Sequence, residues 1–150
     1  MKDFKMPDKI KKENSEAPKE KGVCDIYNKI AEAYSADFKE PSAHIDEFLK
    51  LVPKGGNILD VGAGVGVDSN YMQSKGFEVI SIDFSEGMLK KAKDNFPQLK
   101  LLKQDMRDIN LPPNIFDGIV SSYSLIHIPK KDIPNIFKKL LPDYFNNHYI

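Results

Sequence analysis

The chain has a single cysteine, Cys24. One thiol can form neither an intrachain disulfide nor a cysteine-based metal site. That fits a reducing compartment. Net charge is missing too, since 22 Lys and Arg balance 22 Asp and Glu. A neutral chain gives no electrostatic case for nucleic acid or an anionic membrane as partner. No apolar run approaches the length of a membrane span. The opening "MKDFKMPDKIKKENSEAPKEKG" is lysine-rich but lacks an apolar core or a small-residue cleavage site. No His or Cys cluster suggests a metal. The expectation is a soluble, cytoplasmic protein with a small molecule as partner. Its 150 residues fit one domain with a core.

What is present divides in two. Residues 1–22 carry Pro7, Pro18, Gly22 and many charges, and are expected to be a flexible leader. Residues 23–150 are expected to form the domain. Ile26, Tyr27, Ile30, Ala31 and Tyr34 recur at helix spacing from Asp25 onward. Pro41 breaks that run, and Ser42 is expected to cap a second helix with Ile45, Phe48, Leu49 and Val52 as its apolar stripe. Strands are then expected at 57–61, 77–83, 99–105 and 116–123. Helices are expected at 66–75, closed by Gly76, and at 85–96, stopped by Pro97. Asp132 is expected to cap a last helix bearing Ile133, Ile136, Phe137 and Leu140. Alternating apolar strands and helices imply an α/β fold, a Rossmann-like doubly wound parallel sheet with its ligand crevice at the carboxyl ends of the strands.

The informative stretch is "NILDVGAGVG", residues 57–66. It reads as a buried strand entering a glycine turn. A dinucleotide fingerprint is G-x-G-x-x-G/A. Gly62 and Gly64 match it, but Val67 holds the third position and Gly66 comes one residue early. A P-loop lysine is absent. Asp60 beside the turn would repel a pyrophosphate and attract a cationic group. Asp83 ends the second strand, where an acid can accept hydrogen bonds from ribose hydroxyls. Asp105 and Met106 follow the third strand. A carboxylate can accept from an exocyclic amine, and a methionine can pack on a purine. Ser121 and Ser122 end the fourth strand. The implied ligand has a cationic part, a ribose and an adenine, but no phosphate. S-adenosylmethionine has these features.

The ordered motifs resemble those of class I S-adenosylmethionine-dependent methyltransferases of the small-molecule type. "ILDVGAGVG" resembles the family's first motif and "VISIDFS" its second. "QDM" resembles the adenine-binding acid and its neighbour. "FDGIVSSYSLIHIP" resembles the fourth strand and its loop, and "YNKIAEAY" the N-terminal helix that often covers the cofactor. The similarity runs from about Asp25 to Leu140. It implies Asp60, Gly62, Ala63, Gly64, Asp83, Phe84, Met88, Asp105, Met106, Ser121 and Tyr34 at the cofactor. His127 is the implied candidate base for an acceptor that arrives protonated.

Each residue also has a structural reading. Asp60 can cap the turn's amides, and Asp83 can cap a helix with Glu86 as the partner acid. Asp105 can be a solvated loop acid and Met106 core. Tyr27 and Tyr34 can simply pack, and His127 can be structural.

The sequence departs from the family in one respect. The family's sheet has seven strands and this sequence offers four, ending in "PDYFNNHYI" where a fifth would follow a Gly-Gly turn. The expectation is a truncated chain holding the cofactor-binding part, with an exposed sheet edge that invites a homodimer. A non-catalytic cofactor-binding fragment is the alternative. A nicotinamide-dependent dehydrogenase is disfavoured by Asp60 and the displaced glycine. The acid-Pro-Pro-aromatic motif of DNA amino-methyltransferases is absent after the fourth strand, where "SSYS" stands. Cys24 lies in the wrong region for a cytosine carbon-5 enzyme.

Overall fold

Among the described residues four short apolar segments form one parallel sheet, in the spatial order Lys100–Lys103, Glu78–Asp83, Asn57–Val61, Gly118–Val120. The computed structural model describes residues 21–112 and 114–141. Its elements are α1 (Lys21–Asp37), α2 (Ile45–Leu49), β1 (Asn57–Val61), α3 (Val67–Ser74), β2 (Glu78–Asp83), α4 (Glu86–Asn95), β3 (Lys100–Lys103), β4 (Gly118–Val120) and α5 (Ile133–Leu140). Two single 3-10 turns, Met106–Asp108 and Leu125–His127, follow β3 and β4. The expected leader, apart from Lys21 and Gly22, and the tail from Pro142 onward lie outside the described residues.

β1 is central because it is apolar on both faces. Ile58 packs with Ile45, Met72, Val79 and Val120 on one side of the sheet. Leu59 and Val61 pack with Ile80, Ile82, Met106 and Ile136 on the other. Burying each such side chain contributes roughly 1.5–3 kcal/mol. Met72 of α3 is fully enclosed, so Met72→Ala would cost about 2–5 kcal/mol. The strand order reverses at β1, with β2 on one flank and β4 on the other. Open α/β sheets place their ligand crevice at such a reversal.

Several expected boundaries moved. Within the described residues the first helix already runs from Lys21, and its expected apolar face is narrower: Ile26 and Ile30 are 56% and 37% exposed. Ala31 of that face is buried, beside Tyr27 and Tyr34. Ser42 does not cap α2. Its N–H and Oγ both donate to the Asp68 carboxylate at 2.7 Å, and His44 takes the N-cap position without a side-chain bond. Ser85, not Asp83, caps α4, accepting from the Met88 N–H at 3.2 Å. Asp132 stands at the N-cap of α5 but makes no side-chain cap. β4 covers only Gly118–Val120 of the expected 116–123, and Tyr123, beyond its end, has a left-handed backbone with φ 56°. Among the described residues β4 pairs only with β1.

Candidate functional site

The carboxyl ends of the strands open into one cavity containing about 750 Å³ of space, part of it open to solvent. β1 delivers Gly62 and Gly64 to its wall. β2 delivers Ile82 and Asp83, then Phe84 and, from α4, Met88. The segment after β3 delivers Gln104, Asp105 and Met106. The loop after β4 contributes Ser122, Tyr123, Ser124, His127 and Ile128. α1 closes the cavity with Val23, Tyr27 and Tyr34.

The glycine turn is built by close approach. The amides of Gly62 and Ala63 both donate to the Ile82 carbonyl, at 2.8 and 3.0 Å, which ties the turn to β2. Gly62 has φ +80°, and a Cβ there would lie 2.3 Å from Ser124 Cβ. The loop after β4 therefore rests directly on this glycine. Ser124 Oγ donates to the Val61 carbonyl at 2.8 Å and holds it there. Gly64 has φ +55°, and a Cβ there would meet nothing within 4 Å. Backbone faces open space at that point, as close approach by a ligand requires.

Asp83 is 6% exposed at the end of β2. Its Oδ2 accepts from the Gly64 N–H at 2.9 Å and its Oδ1 from the Ser85 N–H at 2.8 Å. Burial pushes its pKa up, and the N–H groups of Ser85, Gly64 and Phe84 oppose that. Each carboxylate oxygen carries two lone pairs, so this geometry still suits a diol. Asp105 caps the turn at Met106–Asp108 and accepts from Arg107 N–H at 2.8 Å and Nε at 3.0 Å, with Nη2 on its second oxygen. Its carboxylate is thus held in one orientation at the wall.

Three aromatic rings line the α1 side. Tyr27 meets Tyr34 edge-on at 6.4 Å and Phe84 edge-on at 6.3 Å. Ring faces of this kind favour a cation. The Tyr27 hydroxyl lies 2.6 Å from His127 Nε2, a contact between α1 and the loop after β4. Burial, with the nearby Asp83 charge adding, pushes the Tyr27 hydroxyl pKa up, so it keeps its proton at neutral pH.

Of the anticipated residues, Gly62, Gly64, Asp83, Phe84, Met88, Asp105, Met106, Tyr34 and His127 meet at this cavity. Asp60, Ala63 and Ser121 are not among its lining residues. Asp60 is 1% exposed and its Oδ2 accepts from Ser69 Oγ at 2.5 Å, while Ser69 Oγ also meets Ser81 Oγ at 2.7 Å. Burial raises its pKa to about 7. Ala63 braces the turn by accepting from the Gly66 N–H at 3.0 Å. Ser121 pairs with Ser124. Val23, Gln104 and Ile128 were not singled out. Gln104 and Ile128 lie inside "QDM" and "SLIHIP", and that adjacency was the available signal.

A family profile described as "Methyltransferase domain" matches residues 58–142, more than half the chain. A demethylmenaquinone methyltransferase of Renibacterium salmoninarum is 32% identical over 90 residues, covering 59% of this chain and 38% of that protein. Other curated methyltransferase relatives are matched over about half their length, 53% and 49%. Among solved structures, a TehB-like SAM-dependent methyltransferase from Corynebacterium glutamicum shares the fold at TM-score 0.61 and 22% identity, over 79% of this chain and 67% of that one. A phosphoethanolamine N-methyltransferase 2 from Haemonchus contortus, in complex with phosphomonomethylethanolamine and S-adenosylhomocysteine, aligns at TM-score 0.60 and 25% identity. That alignment covers 75% of this chain and 30% of that one. Four motifs in order, a parallel sheet in the matching arrangement and a matching family profile lead to one assignment: the chain belongs to the class I S-adenosylmethionine-dependent methyltransferases.

Proposed function

We propose that the cavity binds S-adenosylmethionine and that the chain directs its methyl group to a small-molecule acceptor. One observation carries this: Gly64, Asp83, Asp105 and Met106 line the same cavity as the aromatic rings of Tyr27 and Tyr34. Asp83 would accept from the ribose hydroxyls, and the fixed Asp105 carboxylate from the exocyclic amine. Met106 and Met88 would pack on the adenine. Gly64 would let the methionyl part approach backbone. Tyr27, Tyr34 and Phe84 would face the cationic end.

When bound, the cofactor supplies a methyl carbon on a positively charged sulfur, which leaves as a neutral thioether when the acceptor's lone pair forms the new bond. The chain's own contribution is proximity, alignment and exclusion of water. An acceptor that arrives protonated must also lose a proton. Tyr27 and His127 together can take it, the Tyr27 hydroxyl accepting the acceptor's proton as it passes its own to Nε2.

A second reading is cofactor binding without turnover, since every residue assigned above to the cofactor lies on α1, at the ends of β1 and β2, at the start of α4 or in the segment after β3. Incubating the chain with methyl-labelled S-adenosylmethionine and a panel of amine and hydroxyl acceptors separates the two. Label in a product supports transfer, and label retained only in the cofactor supports binding alone. The outer edge of β4 is proposed to pair with a second copy, and a purely monomeric sedimentation profile would remove that proposal.

A further inference from the structure

We propose that Asn28 is a positioning residue that seats α1 over the cavity, and that Gly87 is the vacancy on α4 that lets it do so. The inference rests on the cavity being the S-adenosylmethionine site.

α1 has two working strips. One carries Tyr27 and Tyr34 to the cavity. The other lies along α4, with Asn28 near one end and Ser35, which accepts from Asn95 Nδ2 at 2.8 Å, near the other. Asn28 Oδ1 accepts two hydrogen bonds, from Ser85 Oγ and from the Gly87 N–H, both at 2.8 Å. Ser85 is fully buried and caps α4. A first-turn amide of α4 is thus satisfied by a helix 59 residues away in sequence. A Cβ on Gly87 would lie 2.7 Å from Asn28 Cα and 2.9 Å from its carbonyl oxygen. The two backbones touch only because residue 87 has no side chain. The Glu32–Lys91 ion pair farther along has a well-exposed acid, and such pairs hold a helix weakly.

Tyr27 adjoins Asn28 in sequence. The Asn28 contact therefore sets where the Tyr27 ring stands against Phe84, and whether its hydroxyl reaches His127. If α1 is docked only part of the time, the apparent affinity for ligand falls by that fraction.

The test uses the 150-residue chain with Asn28→Asp, Asn28→Leu and Gly87→Ala, titrated calorimetrically with S-adenosylhomocysteine. Asn28→Asp keeps the acceptor for both donors, and its charge suits the α4 N-terminus, so it should bind as the parent does. Asn28→Leu should bind about tenfold more weakly. Gly87→Ala should also bind about tenfold more weakly, although alanine favours the helix it sits in. Hydrogen exchange without ligand should show α1 losing protection in the Leu and Ala variants while β1 and β2 keep theirs.

Parent-like affinity with α1 still protected, in either variant, overturns the proposal. So does loss of protection spread through β1 and β2, which would make Asn28 an ordinary stability residue. Should the parent bind no S-adenosylhomocysteine, the assignment of the cavity fails separately. The exchange arm then decides the docking, and unchanged α1 protection overturns it.

Discussion

Asp60→Asn should flatten the pH dependence of stability. Asp60 is enclosed beneath the glycine turn, with Ser69 donating to it at 2.5 Å. Burial is the first cause of its raised pKa. The Ser69 bond opposes the rise, and the charges of Asp68 and Asp83 add to it. The folded value is about 7 against an ordinary carboxylate value of 3.8. Between those limits the folded state holds a proton that the unfolded state has released. Unfolding stability therefore falls as pH rises through this window and levels off above the folded pKa. At about 1.4 kcal/mol per tenfold difference in proton affinity, that gap gives about 4 kcal/mol from this one group. Asparagine keeps an acceptor for Ser69 and cannot ionise. Urea unfolding of parent and variant at steps from pH 4 to pH 8 gives the difference curve, in which the surface ion pairs cancel. Asp83, also raised by burial, remains in both chains and keeps some downward slope in the variant. The difference should move in favour of the variant by several kcal/mol as pH rises. Parallel curves would refute the reasoning and show that Asp60 is solvated in the folded chain.

Asp83→Ala should weaken S-adenosylhomocysteine binding by about 2–3 kcal/mol, the cost of losing charge-assisted bonds to a diol, while circular dichroism stays unchanged. Equal affinity in the folded variant would remove Asp83 from the ribose. Gly62→Ala should lower the melting temperature, because its Cβ would meet Ser124 at 2.3 Å on a backbone with φ +80°. Gly64→Ala, which meets open space, should disturb the fold less and ligand binding more; equal melting shifts for the two would contradict that distinction. If the chain turns over, Tyr27→Phe and His127→Gln should each slow kcat on a protonated acceptor by about 10²-fold or more. The double variant should be little slower than either, and additive losses would separate the two groups.

The sheet and its ligand end were legible because their signals are local. Ile58, Leu59 and Val61 mark a strand buried on both faces, and Gly62 and Gly64 mark its exit. Asp83 and Asp105 each follow an apolar run, so parallel strand order alone brings them to one end. Other features depended on tertiary partners. Ile26 and Ile30 share helix spacing with Tyr27 and Tyr34, yet Asn28 and Gly87 turn α1 so that those isoleucines face outward. Ser42 had the chemistry of a cap, but its N–H and Oγ donate to Asp68 instead. β4 covers only Gly118–Val120, and Tyr123 beyond it is left-handed, a conformation that no local preference of tyrosine foretells. Asp60 carried the expected residue type for a ligand-facing acid, but Ser69 and Ser81 enclose it. The Tyr27–His127 contact spans 100 residues and depends on how α1 docks.

The most direct measurement is calorimetric titration of the 150-residue chain with S-adenosylhomocysteine and, separately, with NAD. Asp83 as the proposed ribose acid, the aromatic wall and the absence of a lysine among the described lining residues predict saturable one-to-one binding of S-adenosylhomocysteine and no heat from NAD. Binding of NAD in preference, or of neither ligand by a folded chain, would contradict the account.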